Sequence, residues 1–220
     1  MSTGIKLIDN ACGNLQDGKL YCIACTSDVD RLSILAEVAI GVLSCQSGLT
    51  IISNEYERPA LVEQLKQCYR SSGKNSGALS LCADYQPASS YEHIRSFIER
   101  LIRKDRNLLH VLIVDNLLKI ETDFTCTEPY LRIAANLYLL RMIAVEYDIP
   151  VIAITEYHSD DSICTTLAAS EQIERMFIYR LPRERLPRHT RHDSVILSTN
   201  RCKRRSNMEV PLLITNLVRS

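Results

Sequence analysis

Short apolar strings alternate with amphipathic segments from Leu20 to Thr155, and that alternation admits few architectures. A strand covered by helices on both faces reads as a near-continuous apolar run, and a helix between two such strands makes them parallel. Leu20–Cys25, Leu49–Ser53, Leu79–Ala83, Leu109–Val114 and Pro150–Thr155 are such strings. Between them the spacing predicts helices. Arg31–Leu43 carries Leu32, Leu35, Ala36, Ala39 and Val42 or Leu43 on one side. A second helix opens at Pro59, where a proline suits the first turn. A third follows the capping-box pair Ser89 and Glu92, with Ile94, Phe97, Ile98 and Leu101 as its stripe. A fourth runs from Glu128 to Tyr147, between Pro129 and Pro150. Asp17-Gly18 and Ser47-Gly48 read as turns, and Ser71–Gly77 as a polar loop. Met176–Leu181, Ser194–Thr199 and Val210–Leu217 are β-rich strings between basic linkers, expected as antiparallel additions to one sheet edge. The expected fold is α/β, with a mostly parallel central sheet flanked by helices and C-terminal antiparallel strands, as one domain over residues 1–220.

At 220 residues the chain can bury a continuous core, and 46% hydrophobic with 24% charged residues is ordinary for a globular protein. No segment reads as a membrane span: Ala36–Cys45 is broken by Glu37 and is too short. The N-terminus lacks the basic-then-apolar pattern of a signal peptide, so an intracellular, cytoplasmic setting is expected. The nine cysteines are scattered through apolar strings and read as reduced, buried thiols. Cys22-Ile-Ala-Cys25 has metal or redox spacing but no second pair. Inside a strand its two thiols point to opposite faces. No metal site is expected. Tyr157-His158-Ser159-Asp160-Asp161 collects His, Ser and Asp at a strand end, without a nucleophile elbow.

Formal charge balances at +0, yet unevenly. Arg180, Arg183, Arg185, Arg188, Arg191, Arg201, Lys203, Arg204 and Arg205 face only Glu184 and Asp193 in the same stretch. This surface could meet nucleic acid or an acidic partner, or be a solvated loop and hairpin. It has no interleaved aromatics for base stacking.

Several strings, in order, resemble the C-terminal motor domain of DnaB-type replicative helicases. Thr3-Gly4-Ile5-Lys6-Leu7-Ile8-Asp9 and Gly13-Asn14-Leu15-Gln16-Asp17-Gly18-Lys19-Leu20 resemble that family's opening. Leu49–Glu55, His110–Leu117 and Ile149–Glu156 resemble its second, metal-binding and following strands. The resemblance spans nearly the whole chain and implies a RecA-like P-loop NTPase fold. It implies Glu55 where the family orients the attacking water, Asp115 where it holds Mg²⁺ through water, and Arg201 where an arginine reaches a neighbouring subunit's nucleotide.

The departures fall on the chemistry. A P-loop wraps phosphate with glycine-freed backbone N–H groups, a lysine and a Ser/Thr hydroxyl for Mg²⁺. The matching stretch is Cys25-Thr26-Ser27-Asp28-Val29-Asp30-Arg31-Leu32. Asp30 stands in place of glycine, Arg31 of lysine and Leu32 of the hydroxyl. Thr199 replaces a family lysine, while Leu118 and Glu156 replace glutamines. The family's linker helix would precede Thr3, so ring assembly by that route is not expected. The family's DNA-facing loop, about Ser159–Ser170, contains Asp160 and Asp161 and no basic residue.

The expected function is therefore a catalytically inactive, helicase-like binding or regulatory module in DNA replication, recombination or defence. The alternative is a divergent ATPase or nucleotide sensor holding nucleotide through Arg31 and Asp115. No cofactor is expected under the first, and ATP with Mg²⁺ only under the second. Expected partners are a protein of the replication or recombination machinery, or DNA, contacted through Arg183, Arg185, Arg188, Arg191, Lys203, Arg204 and Arg205. No membrane is expected, and a homo-oligomer is left open.

Overall fold

The structure is a computed structural model and describes residues 14–26, 31–45, 47–71, 80–87, 89–121, 128–157, 172–180, 193–198 and 209–212. Its elements are β1 (Leu20–Thr26), α1 (Arg31–Ser44), β2 (Leu49–Ser53), α2 (Arg58–Ser71), β3 (Leu81–Tyr85), α3 (Tyr91–Asp105), β4 (Val111–Asp115), α4 (Pro129–Tyr147), β5 (Val151–Tyr157), β6 (Ile173–Arg180), β7 (Asp193–Ser198) and β8 (Glu209–Leu212). Among the described residues the strands form one sheet in the order β3-β2-β4-β5-β1-β6-β7-β8. In that order β3 through β6 pair parallel, and the two pairings of β7, with β6 and with β8, are antiparallel.

Alternation along each strand divides the core into two layers. Tyr21, Ile23 and Cys25 of β1, with Leu49 and Ile51 of β2, pack under Leu35, Val38, Val42 and Leu61 of α1 and α2. Leu20, Cys22 and Ala24, with Leu112 and Val114 of β4, pack under Ile94 and Ile98 of α3 and Leu137 and Leu140 of α4. The Cys22/Cys25 pair is thus split between the two layers, as expected inside a strand. Burial pushes the Cys22 thiol up to about 12, with Cys25 adding to the shift, so it behaves as a small hydrophobe.

Four expectations are corrected. β6 was expected among the antiparallel additions but lies parallel to β1, pairing Cys22 with Met176 and Ile23 with Phe177. Met176 and Phe177 enter opposite core layers, so β6 is buried on both faces, as parallel strands are. β3 begins at Leu81 rather than Leu79, because pairing Leu49 with Leu81 and Ser53 with Tyr85 ends it level with β2; residue 79 lies outside the described residues. The cap of α3 is Ser90, not Ser89: the Ser90 hydroxyl accepts the His93 N–H at 3.1 Å. Ser89 is fully buried, and its hydroxyl donates instead to Asn54 Oδ1 at 3.0 Å. β4 begins at Val111 because Arg106–Leu108 coils into a single 3₁₀ turn first.

The Asp17-Gly18 turn holds Gly18 at φ +65°, a conformation glycine adopts without strain. Gly48 is required for a different reason. A Cβ there would fall 1.7 Å from the Asn107 carbonyl oxygen. Its own N–H donates to His110 Nδ1 at 3.0 Å, and its carbonyl accepts from the His110 and Val111 N–H groups. The Ser71–Gly77 loop lies outside the described residues apart from Ser71, which ends α2.

Candidate functional site

The carboxyl ends of the central parallel strands converge, and ligands of open α/β sheets bind there. β2 ends at Ser53 and runs into Glu55. β4 ends at Asp115, which pairs in register with Ser53. β5 lies between β4 and β1 and brings Glu156 level with Cys25. Over these ends stands Arg31, the first residue of α1. Three of the four family-matched positions, Arg31, Glu55 and Asp115, are therefore brought together.

They are brought together as an internal ion cluster. The Arg31 guanidinium lies 2.9 Å (Nε) from Asp115 Oδ1, 2.7 Å (Nη1) from Glu156 Oε1 and 3.2 Å (Nη2) from Glu55 Oε2. The Glu156 contact is a hydrogen bond, whereas the Asp115 contact is an ion pair off the line of one. Lys119, in the 3₁₀ turn after β4, meets the same Glu55 Oε2 at 2.7 Å. The Tyr56 ring lies under the guanidinium, 5.6 Å from its centroid, within cation–π range. Ser53 Oγ accepts the N–H groups of Glu55 and Tyr56 and approaches Asp115 Oδ2 at 3.4 Å. The segment after β2 is thereby pinned against β4.

Burial decides the electrostatics. The side chains of Arg31 and Asp115 are 7% and 0% exposed, against 23% for Glu55 and 40% for Glu156. Desolvation pushes the Asp115 carboxyl up to about 6, although Arg31 and Ser53 pull the other way. It remains mostly ionised at neutral pH. Burial also works against the charge on Arg31, but Asp115 and Glu156 outweigh it and the net shift is upward. Burial would raise Glu55 too, yet Lys119 and Arg31 hold it below its ordinary value. Three carboxylates thus face two cations, and every positive charge in the cluster already has a carboxylate partner.

These residues do not fit Mg²⁺-nucleotide. A phosphate reaching Arg31 would displace carboxylates that stay behind as like charges. Two unit charges about 4 Å apart in such a setting interact by about 4 kcal/mol before screening. A metal ion reaching Asp115 would meet the guanidinium. Leu32 packs against the apolar layer under α1. Asp28 and Asp30 lie outside the described residues. So do Arg201, the basic stretch Arg183, Arg185, Arg188, Arg191, Lys203, Arg204 and Arg205, the His158–Asp161 string and the loop about Ser159–Ser170.

Lys119, Tyr56 and Ser53 escape a reading by family position. Glu156 is legible as a substituted glutamine but not as a partner of Arg31. The available signal was general: each ends, or follows closely on, a buried parallel strand, where polar side chains converge.

The sheet order and the two helical layers define a RecA-like α/β fold. Solved structures with this architecture include a DnaB-like replicative helicase, described for its interactions with primase, at TM-score 0.72 and 13% identity. The match covers 96% of this chain, which spans only 58% of that helicase. An ATPase domain matches at TM-score 0.73 and 13% identity, over 96% of this chain and 85% of that one. A KaiC-like protein from the archaeon Pyrococcus horikoshii matches at TM-score 0.67 and 14% identity, over 96% and 93%. No protein-family model matches the sequence, and no curated protein does. Among the described residues, no helix is long and apolar enough to cross a membrane.

Proposed function

We propose that this chain is a helicase-like RecA-fold module that does not hydrolyse nucleotide and instead binds a partner in DNA replication, recombination or defence. The observation that supports this most is Arg31, which is buried and engaged by Asp115, Glu55 and Glu156 at 3.2 Å or less. Phosphoryl transfer is catalysed by positioning and electrostatic stabilisation, and here the one cation in the lysine position is neutralised from within. The DnaB-like structure is described with a primase partner, which favours a protein partner for this chain as well. The basic residues Arg183–Arg191 and Lys203–Arg205 offer DNA an electrostatic contact.

A divergent ATPase or nucleotide sensor is the second reading. It is favoured by the convergence of Arg31, Glu55 and Asp115 on adjoining strand ends. The two separate in a turnover assay with Mg²⁺-ATP. The binding-module reading expects no phosphate release above background. Release that disappears in Glu55→Ala would overturn it and establish the second reading, for which Arg31→Ala and Asp115→Ala must also be inactive.

A further inference from the structure

Helix α4 is apolar on two sides. Its inner side, Ile133, Leu137, Leu140, Ile143 and Ala144, is buried against the sheet. Its outer side exposes Leu131, Tyr138, Met142 and Val145, which are 45%, 54%, 42% and 55% exposed, together with Ala134. These are the exposed large hydrophobics of the described residues, with Tyr130 beside them. A surface helix ordinarily turns one polar face to water. A contiguous apolar stripe on a second face marks an interaction surface.

The order of residues in the stripe identifies what covers it. Leu131 and Val145 stand seven residues either side of Tyr138, and Ala134 and Met142 stand four either side. At 3.6 residues per turn these five share one face about 21 Å long, and their positions are symmetric about Tyr138. An isologous two-fold contact requires such a self-complementary patch. Charge sets the direction. Arg132 near the start and Glu146 near the end flank the stripe on the same side, roughly 100° from its centre. An antiparallel pairing lays each Arg132 toward Glu146 of the partner subunit, whereas a parallel one places them on opposite flanks, about 21 Å apart along the axis, and pairs neither. Both side chains are already held at the rim: Arg132 donates to the Leu118 carbonyl at 3.1 Å, and Glu146 pairs with Arg95 at 2.8 Å.

We infer that α4 is a homodimer interface, in which two copies of this chain pack antiparallel with Tyr138 at the two-fold axis. One helix pair is a small contact by the standard of stable complexes, so the dimer exchanges with monomer in the micromolar range. Sedimentation equilibrium of the full chain across that range tests it. A concentration-dependent doubling of mass is expected, weakened about tenfold or more by Tyr138→Glu, a change on an exposed side chain that leaves the circular dichroism spectrum intact. Arg132→Glu should weaken association, and adding Glu146→Arg should restore it. A monomer at every concentration would overturn the inference and leave this face to a different protein. A dimer indifferent to Tyr138→Glu would overturn it too, as would a charge swap that fails to restore association.

Discussion

Arg31 holds the strand-end cluster together, because one guanidinium is shared among Asp115, Glu156 and Glu55. Removing one member of a buried ion pair costs far more than the pair contributes, typically about 3–5 kcal/mol, since the partner charge stays behind unpaired. Arg31→Ala is therefore expected to lower the unfolding free energy by about that much in urea titrations. Arg31→Ala/Asp115→Asn should recover a large part, because the buried charge goes with its partner. Equal losses in the single and double variants would show that Arg31 acts through packing alone. Asp115 itself predicts a pH dependence. Its carboxyl titrates at about 6 in the fold against 3.8 ordinarily, so between those values the native state holds the proton more tightly than the unfolded chain. Stability from this group is thus greatest below about pH 4 and declines as pH rises toward about 6. Glu55, shifted down, gains stability with rising pH, but below its ordinary 4.5. Relative to Asp115→Asn, the wild type should lose up to about 3 kcal/mol between about pH 4 and about pH 7. A difference that stays constant with pH would contradict the burial of an ionised Asp115.

At the scale of elements, what was legible follows from periodicity and what was not follows from tertiary choice. β2 was readable to the residue, because Leu49–Ser53 is a short β-branched and apolar string that follows a Ser-Gly pair and ends in a polar residue. α4 was readable because Pro129 and Pro150 bracket it; its C-cap is Asp148 in the left-handed conformation. Ser89 and Ser90 offer the same hydroxyl one residue apart, and the choice lies with Asn54, which takes Ser89 into the core. The parallel direction of β6 was hidden because a short β-rich string reads alike in either direction, and only its place beside β1 separates them. The ion cluster was half legible. Family position pointed to Arg31, Glu55 and Asp115, but no local pattern joins Glu156 to a residue 125 positions earlier, and Lys119 lies in a turn that only the fold turns back toward Glu55.

At the scale of the molecule, the sheet retains the geometry that brings strand ends and the first helix to one place, while the side chains delivered there neutralise one another. The core layers and the strand-end site are built from different residues, so the fold by itself does not fix what the site does. The buried strands require only near-continuous apolar side chains, whereas a phosphate site requires uncommitted positive charge. In this chain Arg31, standing over the strand ends, is engaged by three carboxylates. The most direct test is a calorimetric titration of the full chain with ATP and with ADP in the presence of Mg²⁺. The proposed binding module is expected to give no binding heat and no thermal stabilisation at millimolar nucleotide. Clear micromolar binding, lost in Arg31→Ala variants that remain folded, would show that phosphate displaces the carboxylates and would contradict it.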